Sequence, residues 1–287
     1  MTAREQAAAS EHAAAVDAWR ADRDRRLRDP DGWLSLVGLH WLRPGQNRIG
    51  SDPSLEIVLV GQGLPALAGT LTLSGDAVRL EPGSAELRLD GAPAFPAALA
   101  DDVGGAPTVL GLGSLRMHLI RRGERLGIRV RDHEAPALRA FSGMDHFATD
   151  PDWHVTARFE PAGSDEQIEI MDVTGRASPE PTPGRVTFDR EGLSWTLHAL
   201  EGGADGSLWL LFGDATNGHE TYGGGRFLYT APPAGGRVVV DFNLSYNPPC
   251  VFSPFANCPL PPPQNRLALR IEAGERDYRT GGLHLDR

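Results

Sequence analysis

The fold class of this chain is decided by a stretch that reads Leu193-Ser194-Trp195-Thr196-Leu197-His198-Ala199. Apolar and polar side chains alternate along it, and this period of two is typical of a β-strand with one buried and one solvated face. The same alternation occurs over Val155–Phe159, and Leu208–Phe212 is apolar throughout, as in a central strand. The sequence therefore predicts a mostly β protein.

One segment departs from this pattern. Residues 4–28 are rich in Ala, Arg and Glu, contain neither Gly nor Pro, and end just before Pro30. Val16, Trp19 and Arg23 recur at helical spacing, so they should share one face of a helix. We expect an N-terminal helix, then a small β-sandwich, then a larger antiparallel β-sheet or barrel domain.

Turn signals divide the β region further. The 287 residues include 34 Gly and 23 Pro, and residues 43–100 read as short strands separated by Pro-Gly, Ser-Gly and Asp-Gly turns. Asp101–Pro107 is a plausible boundary. We predict a helix and apolar anchor over 1–42, a small sandwich over 43–104, and the larger β domain over 105–287.

Composition excludes several classes of function. All 28 basic residues are arginine, so a P-loop lysine and a Schiff-base lysine are absent, and no nucleotide cofactor is expected. The net charge of −10 argues against a nucleic acid or acidic membrane surface as partner. Without an apolar stretch long enough for a signal peptide or a membrane span, a cytoplasmic protein is the expectation.

The segment from Asp214 to Glu275 has a different character from the rest of the chain. Seven of the 23 prolines fall between 248 and 263, together with both cysteines and aromatic residues. Proline fixes φ and removes a donor, so this loop has few accessible shapes. Rigid loops on a β scaffold often carry binding sites, and we place a small-molecule site at 219–265.

Cys250 and Cys258 have three interpretations. They are a structural pair, either buried thiols or a disulfide, although a cytosol opposes the latter. Alternatively they bind a metal with His219, for which zinc is the candidate ion. In the third interpretation Cys250 is a nucleophile whose base the sequence cannot place, and the candidate catalytic residues are Cys250, His219 and Glu220.

Polar residues around the loop suggest what it would bind. A guanidinium with amides and phenols suits a carboxylate or another anion; the candidate substrate-binding residues are Arg226, Tyr222, Asp241, Asn243, Tyr246, Asn247 and Asn265. The alternative is that they brace a loop that lacks regular ladders. We expect an enzyme-like protein with hydrolysis as the default reaction, against a non-catalytic scaffold that uses its sandwich to bind a partner.

Several motifs together resemble a known prokaryotic family. They are Tyr-Asn-Pro-Pro-Cys at 246–250, Cys-Pro-Leu-Pro-Pro-Pro at 258–263, Glu-Thr-Tyr-Gly-Gly-Gly-Arg at 220–226, Ala-Gly-Glu at 273–275, Arg48–Pro53 and Gly127–Asp132. On these the chain, from Trp19 to Glu275, is identified as a member of the family catalogued as domain of unknown function 1684. The resemblance implies no activity.

A second resemblance concerns the predicted sandwich. Asn47–Asp52, followed by Ile57-Val58-Leu59, resembles the opening of a forkhead-associated domain. That family holds phosphothreonine with an arginine at the position that Ser51 occupies here, and Pro65–Ala68 stands where its serine and histidine would lie. The resemblance implies a fold, while these departures argue against phosphopeptide binding.

Overall fold

The chain folds into two compact units in this computed structural model, which describes residues 3–278. The first, called here the sandwich unit, is Arg28–Phe141. The second, the loop unit, combines the residues up to Leu27 with the chain from Ser142 onward. The expected boundary near 104 lies inside the sandwich unit, because backbone pairing crosses it: Arg88 pairs with Gly111, and Leu89 with Leu110.

The sandwich unit contains two sheets. One has the order β1-β11-β10-β9-β6-β7 and the other β3-β2-β4-β5-β8. The strands are β1 Leu36–Trp41, β2 Gly45–Gly50, β3 Ile57–Val58, β4 Gly69–Ser74, β5 Ala77–Pro82, β6 Arg88–Leu89, β7 Ala92–Pro93, β8 Ala97–Leu99, β9 Val109–Leu112, β10 Leu115–Arg122 and β11 Arg125–Asp132. Only β2 and β3 pair in parallel among the described strands.

Both sheets contribute to one core, in which Ile49, Leu71 and Leu80 are packed in a single cluster with Met117 and Ile128. The alternating pattern of the short strands is therefore used as predicted, with apolar side chains inward. The apolar stretch Gly32–Leu42 belongs here, because β1 pairs with β11. A short helix, α2, spans Pro136–Ala140.

The loop unit begins with α1, Ala3–Leu27, which confirms the predicted N-terminal helix. Its strands are β12 His154–Pro161, β13 Gln167–Met171, β14 Ala177–Pro181, β15 Gly184–Arg190, β16 Leu193–His198, β17 Leu200–Glu201, β18 Leu208–Phe212, β19 Arg226–Thr230 and β20 Arg237–Asp241. They form sheets β16-β15-β12-β20, β17-β18-β19 and β13-β14, all antiparallel. Within residues 3–278 none of these sheets closes on itself. Of the two predicted alternatives, an antiparallel sheet and a barrel, the structure therefore shows the sheet.

In the loop unit, the burial of side chains largely follows the alternating sequence pattern. Leu197 and Ala199 are buried, whereas Leu193, at the start of the alternation, is 59% exposed near a turn. Leu208–Phe212 is the central strand of its sheet, as its apolar character predicts. None of the helices described here is both long enough and apolar enough to cross a bilayer.

Candidate functional site

The Pro-rich loop is held in place by isolated bridges and by two short 3-10 helices, Pro249–Val251 and Pro263–Asn265. Its bridges include Asp172 with Pro259 and Gly213 with Arg266. Such a segment has few ladder hydrogen bonds, so its remaining backbone groups need side-chain partners.

Asn265 is one of these partners. Its side-chain oxygen accepts from His198 N at 2.8 Å, and its Nδ2 donates to the carbonyls of His198 and Leu211 at 2.9 and 2.8 Å. The residue is 1% exposed. Asn265 thus ties the end of β16 to β18, and its amide is used by the protein rather than by a ligand.

Asn243 has the same role at another strand end. Its Oδ1 accepts from Asp150 N at 2.9 Å, while its Nδ2 donates to Asp150 O at 2.9 Å and to Asp241 Oδ1 at 2.8 Å. The residue is fully buried. This pairing joins the segment before β12 to the end of β20.

Arg226 is the largest fully buried side chain of the loop unit. Its Nη2 donates to Asp214 Oδ2 at 2.5 Å and to Ile271 O at 2.8 Å, and its Nη1 donates to Ala273 O. The sequence places Arg226 among the candidate substrate-binding residues, with bracing of the loop as the alternative. Its partners here are Asp214 and the carbonyls of Ile271 and Ala273, and these contacts are those of a brace.

The glycines before Arg226 allow close packing within the protein. Gly225 has φ +89°, and a Cβ there would lie 2.5 Å from Pro261 Cγ and 2.6 Å from Phe212 O. A Cβ on Gly224 would overlap the ring of Tyr222. The three-glycine run therefore admits Pro261 of the Pro-rich loop and Tyr222.

Tyr246, Asn247 and Glu275 form a contact region for α1. Arg23 donates to Glu275 Oε1 at 2.9 Å and to Asn247 O at 3.0 Å, and its guanidinium lies 4.9 Å from the Tyr246 ring centre. Glu275 Oε2 accepts from Asn247 N at 2.6 Å. Burial raises the pKa of Tyr246, and the nearby Tyr229 adds to the effect. Tyr246 is therefore a neutral, packed phenol.

The two cysteines lie together. Cys250 N donates to Cys258 Sγ at 3.1 Å, and the Cys250 thiol donates to Tyr222 Oη at 3.6 Å. Both residues are buried thiols, 8% and 2% exposed. The structure thus brings Cys250, Cys258 and Tyr222 into one cluster, which we call the thiol cluster.

The other predicted catalytic residues have separate surroundings. His219 is exposed, at a turn in which its backbone N–H donates to Thr216 O at 3.2 Å. Glu220 accepts from Arg270 Nη2 at 2.6 Å, and this hydrogen bond is the main cause that lowers the pKa of Glu220. A carboxylate stabilised in this way is a weaker base than an ordinary glutamate.

A group of candidate metal ligands lies elsewhere than expected. Within the described part of the chain, the one group of three or more His, Cys, Asp or Glu side chains with ligand atoms all within 4.8 Å of one another is His12, His154 and Asp241. The set of Cys250, Cys258 and His219 does not form such a group. Neither histidine is among the site residues predicted from the sequence, although His154 directly precedes the alternating Val155–Phe159 stretch that indicates its strand.

Comparison with known proteins gives the family. The profile described as "Protein of unknown function (DUF1684)" matches residues 139–276. This match leaves out Arg48–Pro53 and Gly127–Asp132, which the sequence analysis attributed to the same family. No curated protein matches the sequence.

Two solved structures are similar to parts of the chain. One is the solution NMR structure of an uncharacterised protein from gene locus rrnAC0354 of Haloarcula marismortui, 33% identical, covering 49% of this chain and 80% of that one, with a TM-score of 0.42. The other, described as "Rv0020c_FHA Structure", is 22% identical and covers 32% of this chain and 88% of that one, with a TM-score of 0.23. The family match therefore assigns residues 139–276 of this chain to the DUF1684 family of proteins of unknown function.

Proposed function

We propose that the loop unit binds a small molecule at the thiol cluster, with Cys250 as the group that contacts it. The observation that carries the proposal is the grouping of the Cys250 thiol, Tyr222 Oη and Cys258 Sγ within hydrogen-bond distances. A thiol beside a phenol, on a loop stiffened by prolines, is a preorganised contact for a ligand. This cluster lies within the 219–265 segment where the sequence analysis places a site.

Two unsatisfied polar atoms on residues that closely precede Cys250 in the sequence support the same proposal. Asn247 Oδ1 and Ser245 Oγ are buried and have no hydrogen-bond partner among the described residues. Buried polar groups in folded proteins almost always have a partner, which is either protein, water or ligand. A polar molecule or an ordered water beside residues 245–250 would satisfy them.

The proposed ligand contacts are fewer than those the sequence predicted. The proposal does not include an anion-binding group made of Arg226, Asn243 and Asn265. The side-chain N–H groups of these residues donate to backbone carbonyls of the protein. What remains is thiol chemistry at Cys250. For an enzyme of this kind the default reaction is hydrolysis through a thioester: the thiol sulfur takes the acyl group, the leaving group takes the proton, and water then releases the acid.

Labelling of the native protein tests this proposal. We expect iodoacetamide to alkylate Cys250 faster than Cys258, because Cys258 is the more buried and its sulfur accepts a backbone hydrogen bond. Para-nitrophenyl acetate should acylate Cys250, and Cys250→Ser should abolish the acyl adduct. Mass spectrometry of tryptic peptides measures both.

The control for the labelling experiment is Tyr222→Phe. It removes the hydroxyl that accepts from Cys250 and keeps the ring that packs against Gly224. This variant should stay folded while the pH dependence of Cys250 alkylation changes. Equal alkylation of both thiols, or acylation that persists in Cys250→Ser, would contradict the proposal.

The alternative is a non-catalytic scaffold that uses the sandwich unit to bind a partner, and for that unit we expect no phosphopeptide binding. Arg48 Nη2 is paired with Glu56 Oε1 at 2.8 Å, and the hydrogen bonds from Arg48 lower the pKa of Glu56 to about 2. Ser51 Oγ donates to Leu64 O at 3.0 Å. Because these groups already have partners, we expect no phosphate-dependent binding of phosphothreonine peptides. Fluorescence anisotropy with phosphorylated and unphosphorylated peptides checks this, and tight binding of the phosphorylated form alone would refute it.

A further inference from the structure

Two histidines and one aspartate meet where β12 begins and β20 ends. His154 is the first residue of β12 and Asp241 is the last residue of β20, and the two are directly opposite in the antiparallel pairing. Directly opposed residues project to the same face of a sheet, with Cβ atoms about 4.5–5.5 Å apart. The third member, His12, comes from α1. Nothing about the thiol cluster enters this arrangement.

The three side chains are close enough to one another to share one metal ion. We propose that His12, His154 and Asp241 bind a divalent transition-metal ion, with Zn²⁺ the best fit. Their ligand atoms lie within 4.8 Å of one another, and the two imidazole rings have centroids 4.6 Å apart. Two neutral imidazoles and a carboxylate are a donor set that zinc takes in catalytic sites, with water as the remaining ligand.

The carboxylate is oriented by its neighbour. Asp241 Oδ1 accepts from Asn243 N at 3.1 Å and from Asn243 Nδ2 at 2.8 Å. Its other oxygen, Oδ2, lies 2.7 Å from His12 Nε2. Oδ1 is thus held by the buried Asn243, and Oδ2 faces an imidazole. In metal sites a ligating carboxylate is likewise hydrogen-bonded by a neighbouring group that does not contact the metal.

A small change would convert this hydrogen bond into two metal bonds. With zinc–nitrogen and zinc–oxygen bonds near 2.1 Å, two ligands at a tetrahedral angle lie about 3.4 Å apart. The 2.7 Å between His12 Nε2 and Asp241 Oδ2 would therefore widen by about 0.7 Å, within the range of side-chain rotation. The metal ion would replace the proton of the hydrogen bond between His12 and Asp241.

The second histidine is what distinguishes this group from an ordinary ion pair. His133 Nε2 lies 2.9 Å from Asp31 Oδ1 in the sandwich unit, and that pair is not part of any metal-ligand group within residues 3–278. At the proposed site His154 supplies a further donor and is exposed. The ion would therefore have three protein ligands and an open side toward solvent, where water binds.

Titration of the whole chain with ZnCl₂ tests the proposal. After removal of metal with EDTA, isothermal titration calorimetry should give one equivalent of bound Zn²⁺. His154→Gln and His12→Gln should each weaken binding by at least the roughly 10–100-fold that loss of an outer-shell partner costs. His154→Gln is the sharper variant, because the His154 side chain is exposed and we expect its replacement to leave folding unchanged; equal metal-free melting temperatures of the variant and the wild type check this.

Two controls separate this site from others. His133→Gln, at the matched His–Asp pair, should leave zinc affinity unchanged. The Cys250→Ser, Cys258→Ser double variant should also retain the equivalent of zinc, and Co²⁺ bound to the wild type should give no thiolate charge-transfer band. Absence of stoichiometric zinc binding, binding that survives in both His12→Gln and His154→Gln, or binding lost with the cysteines would overturn the proposal. Failure of the thiol-labelling experiment would leave it untouched.

Discussion

Replacement of Arg226 by methionine should destabilise the loop unit by about 3–5 kcal/mol, the cost of removing one partner of a buried ion pair. Arg226 and Asp214 are both fully buried in their side chains, so the remaining carboxylate would have no cation and no water to replace it. The carbonyls of Ile271 and Ala273 would lose their donor as well. Urea unfolding followed by far-ultraviolet circular dichroism measures the loss.

The matched control is Arg270→Met. Arg270 also pairs with carboxylates, Glu220 and Glu272, but its side chain is 48% exposed. Solvent screens exposed ion pairs, so we expect Arg270→Met to change stability far less than Arg226→Met does. Similar losses in the two variants would show that the buried network around Arg226 is not what stabilises this unit.

Arg226→Lys tests whether the planar guanidinium of Arg226 braces the loop unit. The ammonium keeps the charge but lacks the planar fork, so it cannot reach Asp214, Ile271 O and Ala273 O together. We expect its free energy of unfolding to be lower than that of the wild type and higher than that of Arg226→Met. A variant that stays as stable as the wild type would contradict the brace.

Removal of the buried carboxylate of Glu275 should have the second largest effect, again about 3–5 kcal/mol for a broken buried pair. Glu275 is fully buried and accepts from Arg23 and from Asn247 N. In Glu275→Ala the Arg23 guanidinium loses its carboxylate and the Asn247 N–H loses its acceptor. Because Arg23 lies on α1, the helix should also open more readily.

Glu272→Ala is the control for Glu275→Ala. Glu272 lies three residues away on the same segment and pairs with the exposed Arg270. Hydrogen exchange of the α1 amides between Arg20 and Leu27 should accelerate in Glu275→Ala and stay unchanged in Glu272→Ala. Equal exchange rates in both variants would mean that the Arg23–Glu275 pair does not hold the helix.

Much of the secondary structure could be predicted because it depends on local periodicity. The helix face of Val16, Trp19 and Arg23 is used as its spacing indicates: Val16 is 1% exposed, the Trp19 ring lies 6.4 Å from that of Tyr246, and Arg23 binds Glu275. The central position of Leu208–Phe212 likewise followed from its apolar character. A helix or strand with one face in the core and the other in water has a matching periodic pattern of apolar and polar residues, so its burial can be predicted from the sequence.

The division of the chain into units was much harder to predict. Asp101–Pro107 has the composition of a linker, yet β6 before it pairs with β9 after it. In the same way α1 and the apolar stretch that follows it belong to different units. Turn residues mark where the chain changes direction, and they carry no information on which strands pair across the turn.

By itself the sequence determined that this protein is mostly β, that a helix precedes the strands, that residues 139–276 match the DUF1684 family, and that both cysteines lie in a proline-rich segment. Only the tertiary structure decided which polar groups meet. The partners of Arg226 lie 12 to 47 residues away, and His12 and Asp241 are 229 residues apart. The reason is physical: periodicity reports whether a side chain faces water or core, whereas a buried charge or metal ligand is defined by partners that the fold alone brings within 3 Å.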